Sequence, residues 1–481
     1  MSVGTTLALA AINRAVRPRS KAGWADWAVE TSVPILFDID HPEKVTSQHF
    51  WDQMNLVSEE ALKAIEGELT RRIVEEFRLP LDTLLYDATN YFTYIASDND
   101  RPKLPQRGHS KQKRSDLRIF SVAVLATRDG QIPLLAQVYE GNKVDSKQFP
   151  DSLTEIQTRL QSLLGKEISD VTLVFDKGNN SRDNFARVDA GPIHYVASLP
   201  LNQHKDLAAI AMDKYVPLPK SSALAGLPVH RCQKTIWGKE RTVVLVISPT
   251  LREGQSRGLD QHLKKRLRAL DKWKLVLQKP GSGPRTAAAG RTRAQALCSG
   301  QYVKDVLRVE YDHRKKGAHR LSWFIDAAER ARLEADVFGK MILITDRHAW
   351  STEDIVKAYR GQSHVERVFR QTKDPEHLAV RPQYHWTDQK IRVHAFICFL
   401  AYTLSRLIQR EAEQQAKWKG SLSTLLKDLG KIRLAMVAHI HKDGGKPQCQ
   451  WVLEQRDPSL LKLYRGLVPD RPPFVYTPSA P

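Results

Sequence analysis

The chain has 481 residues, with 74 Lys plus Arg against 54 Asp plus Glu, a formal net charge of +20 and a pI near 9.7. That length exceeds one compact core at the rough scale of ~100–200 residues per domain, which excludes a single small binding module. A hydrophobic share of 41% with 25 Gly and 25 Pro is ordinary globular composition and excludes a disordered or fibrous chain. The positive excess is most simply met by a polyanionic partner, nucleic acid first. Cys232, Cys298, Cys398 and Cys449 form no C-x-x-C pair, so no disulfide framework or zinc ribbon is expected, and a cytoplasmic location fits. The apolar run 7–12 is short and lacks a preceding basic residue, and the ten residues 395–404 suit a buried helix, so no membrane segment is read.

In chain order, residues 1–80 read as helical. Leu62, Ile65, Leu69, Ile73 and Phe77 recur at helical spacing behind a Ser58 cap. Three strands follow at 83–92, 117–127 and 132–139, with Asp129-Gly130 marking a hairpin between the last two. A helix at 146–164, an apolar strand at 171–175, a helix at 181–188 and a strand at 193–199 complete a βββαβαβ order. Residues 201–345 read as a β-rich insertion with short strands at 242–247, 307–311, 321–325 and 341–345. Ser351 then caps a helix expected to run to about Lys373, where Asp374-Pro375 stops it. Helices at 387–413 and 421–437 follow, and the Pro-rich end from Pro469 reads as an exposed tail. The domains expected are thus 1–80, 81–200, 201–345, 346–440 and 441–481.

Asp87 follows the apolar triplet 84–86, and Asp176 follows the strand 171–175. Alone, each reads most simply as a strand-end residue capping a turn. Two of them in one βββαβαβ unit invite another reading, because a carboxylate at an apolar strand needs a positive partner. At 100° per residue, Tyr359, Gln362, Glu366 and Lys373 share one face of the later helix within roughly 60°. The plain reading of that face is solvated charge; Val365 and Phe369 argue that it borders a core. Were Asp87, Asp176 and Glu366 to converge, divalent cations are the natural neutraliser, and oxygen ligands select Mg²⁺ or Mn²⁺ over zinc. Two such ions ~4 Å apart suit phosphodiester chemistry.

Tyr359, Glu366 and Lys373 resemble the Tyr-x₂-Arg-x₃-Glu-x₆-Lys signature of bacterial DDE transposases of the insertion sequence 4-like superfamily. The blocks Tyr86-Asp-Ala-Thr89 and Val174-Phe-Asp-Lys-Gly178 look like that family's two Asp motifs. The gaps, 88 residues from Asp87 to Asp176 and 189 from Asp176 to Glu366, fit its insertion before the Glu helix. One departure is Gln362 at the signature Arg, so that phosphate contact is expected to be weakened or supplied by Arg360 or Arg370.

The resemblance implies an α/β, ribonuclease H-like mixed sheet flanked by helices. It also implies cut-and-paste transposition: Mg²⁺-dependent nicking at the ends of an element, release, and attack of its 3′-OH on target DNA. Two Mg²⁺ ions, with Mn²⁺ able to substitute, would sit on Asp87, Asp176 and Glu366. The partners implied are double-stranded DNA at element ends and in the target and a second copy of the chain, with region 1–80 as a candidate end-recognition domain. Tyr359, Gln362 and Lys373 would touch phosphates.

Further basic residues fill two stretches. The loop 103–118 carries six and is expected beside Asp87, with Lys111 and Arg114 as phosphate contacts; a solvated loop is the plainer reading. Lys264, Lys265 and Arg266 open a second cluster, expected to track a DNA backbone. Trp237 and Trp323 are candidates to stack on an unpaired or flipped base, against the commoner role of core tryptophan. His364 and His394 lie in no zinc pattern and are expected to hydrogen-bond neighbours, and Gly281-Ser-Gly283 lacks the Gly-Lys-Ser/Thr of a P-loop, so no nucleotide cofactor is expected. The alternatives are a catalytically inactive DNA-binding relative, favoured by Gln362, and a structure-selective nuclease on the same fold.

Overall fold

The computed structural model describes residues 1–96, 98–108, 114, 116–279, 281–313, 319–375, 378, 380, 383–439, 448–454 and 457–468. The chain divides into two compact units, residues 1–194 with 361–481, and residues 195–360.

In the first unit the expected meander forms from β1 (Thr83–Phe92), β2 (Ile119–Thr127) and β3 (Pro133–Glu140), and β4 (Thr172–Phe175) adds beside β1. The order is β3-β2-β1-β4, antiparallel through the meander and parallel between β1 and β4. This is the ribonuclease H-like arrangement of a mixed sheet between helices. All nine residues of β2 are buried, as a strand covered on both faces requires. On one face Phe149 of the Asp145–Leu164 helix meets Tyr86 and Phe175 at ring-centroid distances of 5.4 and 4.9 Å. On the other lie the helix Gln362–Lys373 and the long helix Asp388–Gln415. The latter is apolar and long enough to cross a membrane, but 72% of its apolar window is buried inside the protein, which marks a core helix.

Ser58 caps the helix Glu59–Phe77 through a bond from Ala61 N at 3.1 Å, as expected. Of its apolar stripe Leu62, Leu69, Ile73 and Phe77 are half-buried and Ile65 is exposed, while Glu66 and Thr70 face β3. β3 is the sheet's edge, and its backbone needs polar partners rather than hydrocarbon. Glu66 Oε1 accepts from Ala136 N at 3.0 Å, and Thr70 and Arg159 donate to the Leu134 carbonyl at 3.2 and 3.1 Å. The helix expected at 421–437 ends at Leu429, before Gly430. Arg433–His439 is instead a strand of a separate hairpin.

The second unit holds β5 (His194–Leu199), β6 (Val216–Pro217), β7 (Pro228–Ile236), β8 (Lys239–Ile247), β9 (Leu307–His313), β10 (His319–Ile325) and β11 (Lys340–Thr345). β5-β11-β8-β7-β6 are neighbours in order, and β9 pairs with β10. The stretch 201–345 is less purely β than expected. It contains the 29-residue helix Pro249–Leu277, capped by Ser248 with Pro at its first position, and the helix Ala287–Leu297. Leu259, Leu263, Leu270, Trp273 and Leu277 form the buried stripe of the long helix, packed with Val303, Val306, Tyr311 and Phe338. The remaining strands, β12 (Arg433–His439) and β13 (Gln448–Glu454), form the hairpin in the first unit's C-terminal part.

Candidate active site

β1 and β4 run parallel, and the last pair in register is Tyr86 opposite Phe175. Asp87 and Asp176 are the next residue on each, on strands that lie about 4.8 Å apart. Because Tyr86 and Phe175 turn to the face of Phe149, alternation turns Asp87 to the opposite face. Both acids are half-buried, and Asp87 Oδ1 accepts from Ala88 N at 2.8 Å.

The third acid arrives on the helix Gln362–Lys373. Asp87, Thr89 and Tyr91 alternate onto one face of β1, and the helix is fastened to that face at its C-terminal end. Lys373 Nζ donates to Thr89 Oγ1 at 2.5 Å and lies 5.2 Å from the Tyr91 ring centroid; the Thr372 and Tyr91 hydroxyls bond at 2.7 Å. At the other end Gln362 Nε2 donates to the Tyr86 carbonyl at 2.8 Å. Gln362, Glu366 and Lys373 fall within about 40° around the helix axis. Glu366 is therefore on the face turned to β1, about 6 Å along from Gln362, at the level of Asp87 and Ala88. It remains exposed to solvent.

Asp87 and Asp176 follow register partners on adjacent strands and Glu366 lies on the helix fastened to β1, without a preformed cluster. Among the described residues, no group of three or more His, Cys, Asp or Glu is gathered closely enough to hold a metal ion. The donor chemistry nevertheless suits Mg²⁺ or Mn²⁺, since the acids offer only oxygens. Gln362 Oε1 is buried without a hydrogen-bond partner on this face. His364, on the same helix, has its pKa lowered, by burial first, and its Nδ1 is buried unpartnered; His394 is buried with its Nε2 3.4 Å from the Val380 carbonyl.

The helix expected to be continuous from Ser351 to Lys373 is two, Thr352–Arg360 and Gln362–Lys373. The turn between them tightens into a His364 N to Gly361 O bond of 2.7 Å, an i→i+3 contact that breaks the helical repeat. Tyr359 thus belongs to the second unit, where its hydroxyl donates to Ser198 Oγ at 2.8 Å, and the four signature positions are divided between two helices rather than carried on one.

Arg370 is exposed. Arg114 forms a bidentate pair with Asp116 at 2.7 and 2.6 Å, which holds the Asp116 carboxyl down to about 2. The loop leaves β1 after Phe92, about 17 Å of strand beyond Asp87 rather than beside it. Lys111 lies outside the described residues. Lys264 and Lys265 project to solvent from the long helix, and Arg266, half-buried, donates to Ser299 Oγ at 3.3 Å. Trp237 occupies a left-handed position, with Gly238, in the two-residue turn joining β7 and β8, and Trp323 packs half-buried with Lys274 Nζ 5.3 Å from its ring. Sequence reasoning missed Thr89 and Thr372; the alternation Asp87, Thr89, Tyr91 was the available signal.

A family model described as a transposase DDE domain matches residues 84–404. Among curated proteins none matches the chain. Similar solved structures include two transposase–DNA complexes. The piggyBac transposase synaptic complex with hairpin DNA has a TM-score of 0.41 at 9% identity, covering 89% of this chain and 69% of that one. The Mos1 transposase paired-end complex with left transposon end has a TM-score of 0.18 at 10% identity, covering 40% and 57%.

Proposed function

The chain belongs to the transposase DDE domain family, and from that premise we propose that it cuts DNA at the ends of an insertion element and joins them to target DNA in a divalent-metal-dependent reaction. What supports this reading is the placement of Asp87 and Asp176 directly after paired residues of adjacent parallel strands, with Glu366 on the helix fastened to β1. These three carboxylates would hold two Mg²⁺ ions, which Mn²⁺ can replace. When bound, the ions supply Lewis-acid stabilisation of the attacking and leaving oxygens.

In the first step a water oxygen bonds to phosphorus, the P–O3′ bond breaks, and the departing oxygen takes a proton to become a 3′-OH. In the second, that 3′-OH oxygen bonds to a target phosphorus and displaces another 3′ oxygen, so the number of phosphodiester bonds is conserved. Lys373, held by Thr89 and Tyr91 on the catalytic face, would position a phosphate there. Arg370, Arg114, Lys264, Lys265 and Arg266 would contact phosphates further out, and Tyr359 from the second unit. The spacing of Tyr359, Gln362, Glu366 and Lys373 supports assignment to the insertion sequence 4-like superfamily. Cutting two ends and joining them together favours a homodimer in the DNA complex, acting on the nucleoid in a bacterial cytoplasm.

The test supplies a pre-cut oligonucleotide carrying the inverted repeat that flanks the reading frame, with supercoiled plasmid and Mg²⁺. Covalent joining of its 3′ end, lost in Asp176→Asn while gel-shift affinity persists, supports a transposase. Cutting of an intact end without joining indicates a nuclease, and binding without either reaction indicates an inactive relative.

A further inference from the structure

Past the end of β1, the first unit exposes three large aromatic side chains together: Tyr94 at 45%, Tyr384 at 63% and Trp386 at 50%. The rings of Tyr94 and Tyr384 lie 5.7 Å apart at 39°, and the Arg101 guanidinium lies 5.8 Å from the Trp386 ring. Core packing does not explain them, since hydrocarbon of this size is normally withdrawn from water unless a surface is used.

Their exposure is enforced from below. Along the segment 383–386, side chains alternate inward and outward: Gln383 at 0% and His385 at 5% exposed, Tyr384 and Trp386 outward. The segment is fastened to the end of β1 by a parallel bridge from Thr93 to Gln383 and by Tyr94 N donating to the Gln383 carbonyl at 2.9 Å. Beneath it His385 bonds to Gln383, meets Lys21 Nζ at 2.9 Å and stacks on His394 at 4.3 Å. The platform is thus tied to the strand that carries Asp87 and stands ten residues beyond Lys373, the end of the helix that carries Glu366.

Charge selects the occupant. Residues 93–118 carry seven Lys and Arg against Asp98, Asp100 and Asp116, and Arg101, Lys103 and Arg107 are exposed. Aromatic faces interleaved with cations bind bases by stacking and the backbone by charge, tolerant of sequence. A paired duplex hides its base faces, so only unpaired nucleotides can use them. We infer that Tyr94, Tyr384 and Trp386, flanked by Arg101, form a stacking subsite for unpaired nucleotides of the bound DNA. The inference rests on the DNA-processing reading above. Tyr94 is seven residues past Asp87, up to about 23 Å of extended chain, or about seven nucleotide steps of one strand at 3.4 Å each. The subsite therefore takes a base remote from the cleaved bond.

The experiment measures binding of the full chain by fluorescence anisotropy to two probes, a 40-base-pair duplex and the same duplex with one bulged thymine, in the absence of divalent metal. Wild type is expected to prefer the bulged probe by about ten-fold, in line with base–aromatic stacking. Trp386→Ala and Tyr384→Ala should abolish the preference while leaving affinity for the paired duplex within two-fold, and Trp386→Phe should keep it. Equal affinity of wild type for both probes, or preference retained in both alanine variants, overturns the subsite while the transposase reading stands. Failure to bind either probe overturns both. A change in oligomeric state of Trp386→Ala by light scattering, with preference unaltered, makes the patch a protein contact and also overturns the subsite.

Discussion

Lowering the pH should loosen the N-terminal helices and the aromatic platform together, through His385 and His394. The two rings stack at 4.3 Å, and burial holds both pKa values well below the usual histidine value, with the Arg14 and Lys21 charges adding to the effect. An ammonium has only donors, so Lys21 fixes His385 Nε2 as the acceptor and Nδ1 as the proton carrier facing Gln383. A second proton on His385 would have to sit against the ammonium. Both residues therefore have a folded-state pKa below the unfolded value near 6.5. The stability they contribute is present above that value and lost as pH falls through the folded one. Between pH 7.5 and 5.5 the unfolded chain gains protons that the two buried rings do not, so stability should fall over that window by on the order of 1 kcal/mol or more. Lys21, whose pKa burial lowers from 10.5 to about 8, has most of its own dependence above this window. The assay is urea unfolding at the two pH values for wild type and for His385→Gln/His394→Gln, the difference between proteins cancelling the other titrating groups. A pH dependence in the double variant within about 0.5 kcal/mol of wild type would refute the reasoning.

Gln362→Met removes the 2.8 Å bond to the Tyr86 carbonyl but also the buried, unpartnered Oε1. The lost bond is worth about 1 kcal/mol and the relieved atom about 1–3 kcal/mol, so chemical denaturation should find the variant as stable as wild type or more so. At Gly141 an added Cβ would stand 1.8 Å from the Ile119 carbonyl oxygen, where β2 and β3 close. Gly141→Ala should cost at least about 2 kcal/mol by the same measurement. Replacing Lys264 and Lys265 together by Ala should reduce the slope of log affinity against log salt by about 2 for duplex DNA, with little change in sequence preference, if both contact phosphates.

Much of the first unit was legible in the sequence because its signals are local. The β1 limits 83–92 coincide with the run of β-forming residues, and Asp87 and Asp176 are recognisable as acids after the apolar triplet 84–86 and the strand 171–175. What failed depends on contacts distant in sequence. Glu66 and Thr70 turn inward because a sheet edge needs hydrogen bonds, which helical periodicity does not encode. The break at Gly361 divides what helical periodicity carries as one helix into Thr352–Arg360 and Gln362–Lys373. The helix Pro249–Leu277 was overlooked because its basic residues mask a stripe of buried leucines. The exposed set at Tyr94, Tyr384 and Trp386 is not legible in the sequence, because it is brought together by the bridge between Thr93 and Gln383, which joins residues about 290 positions apart.

Thiophilic rescue of single-turnover cleavage at an element end asks most directly whether Asp87, Asp176 and Glu366 hold the metal. A carboxylate replaced by a thiolate prefers softer ions over Mg²⁺. Asp87→Cys, Asp176→Cys and Glu366→Cys are each expected to be inert in Mg²⁺ and to recover cleavage in Mn²⁺ or Cd²⁺, with the alanine variants dead in every metal. Undiminished cleavage in Mg²⁺ by any one of the three cysteine variants would contradict the account.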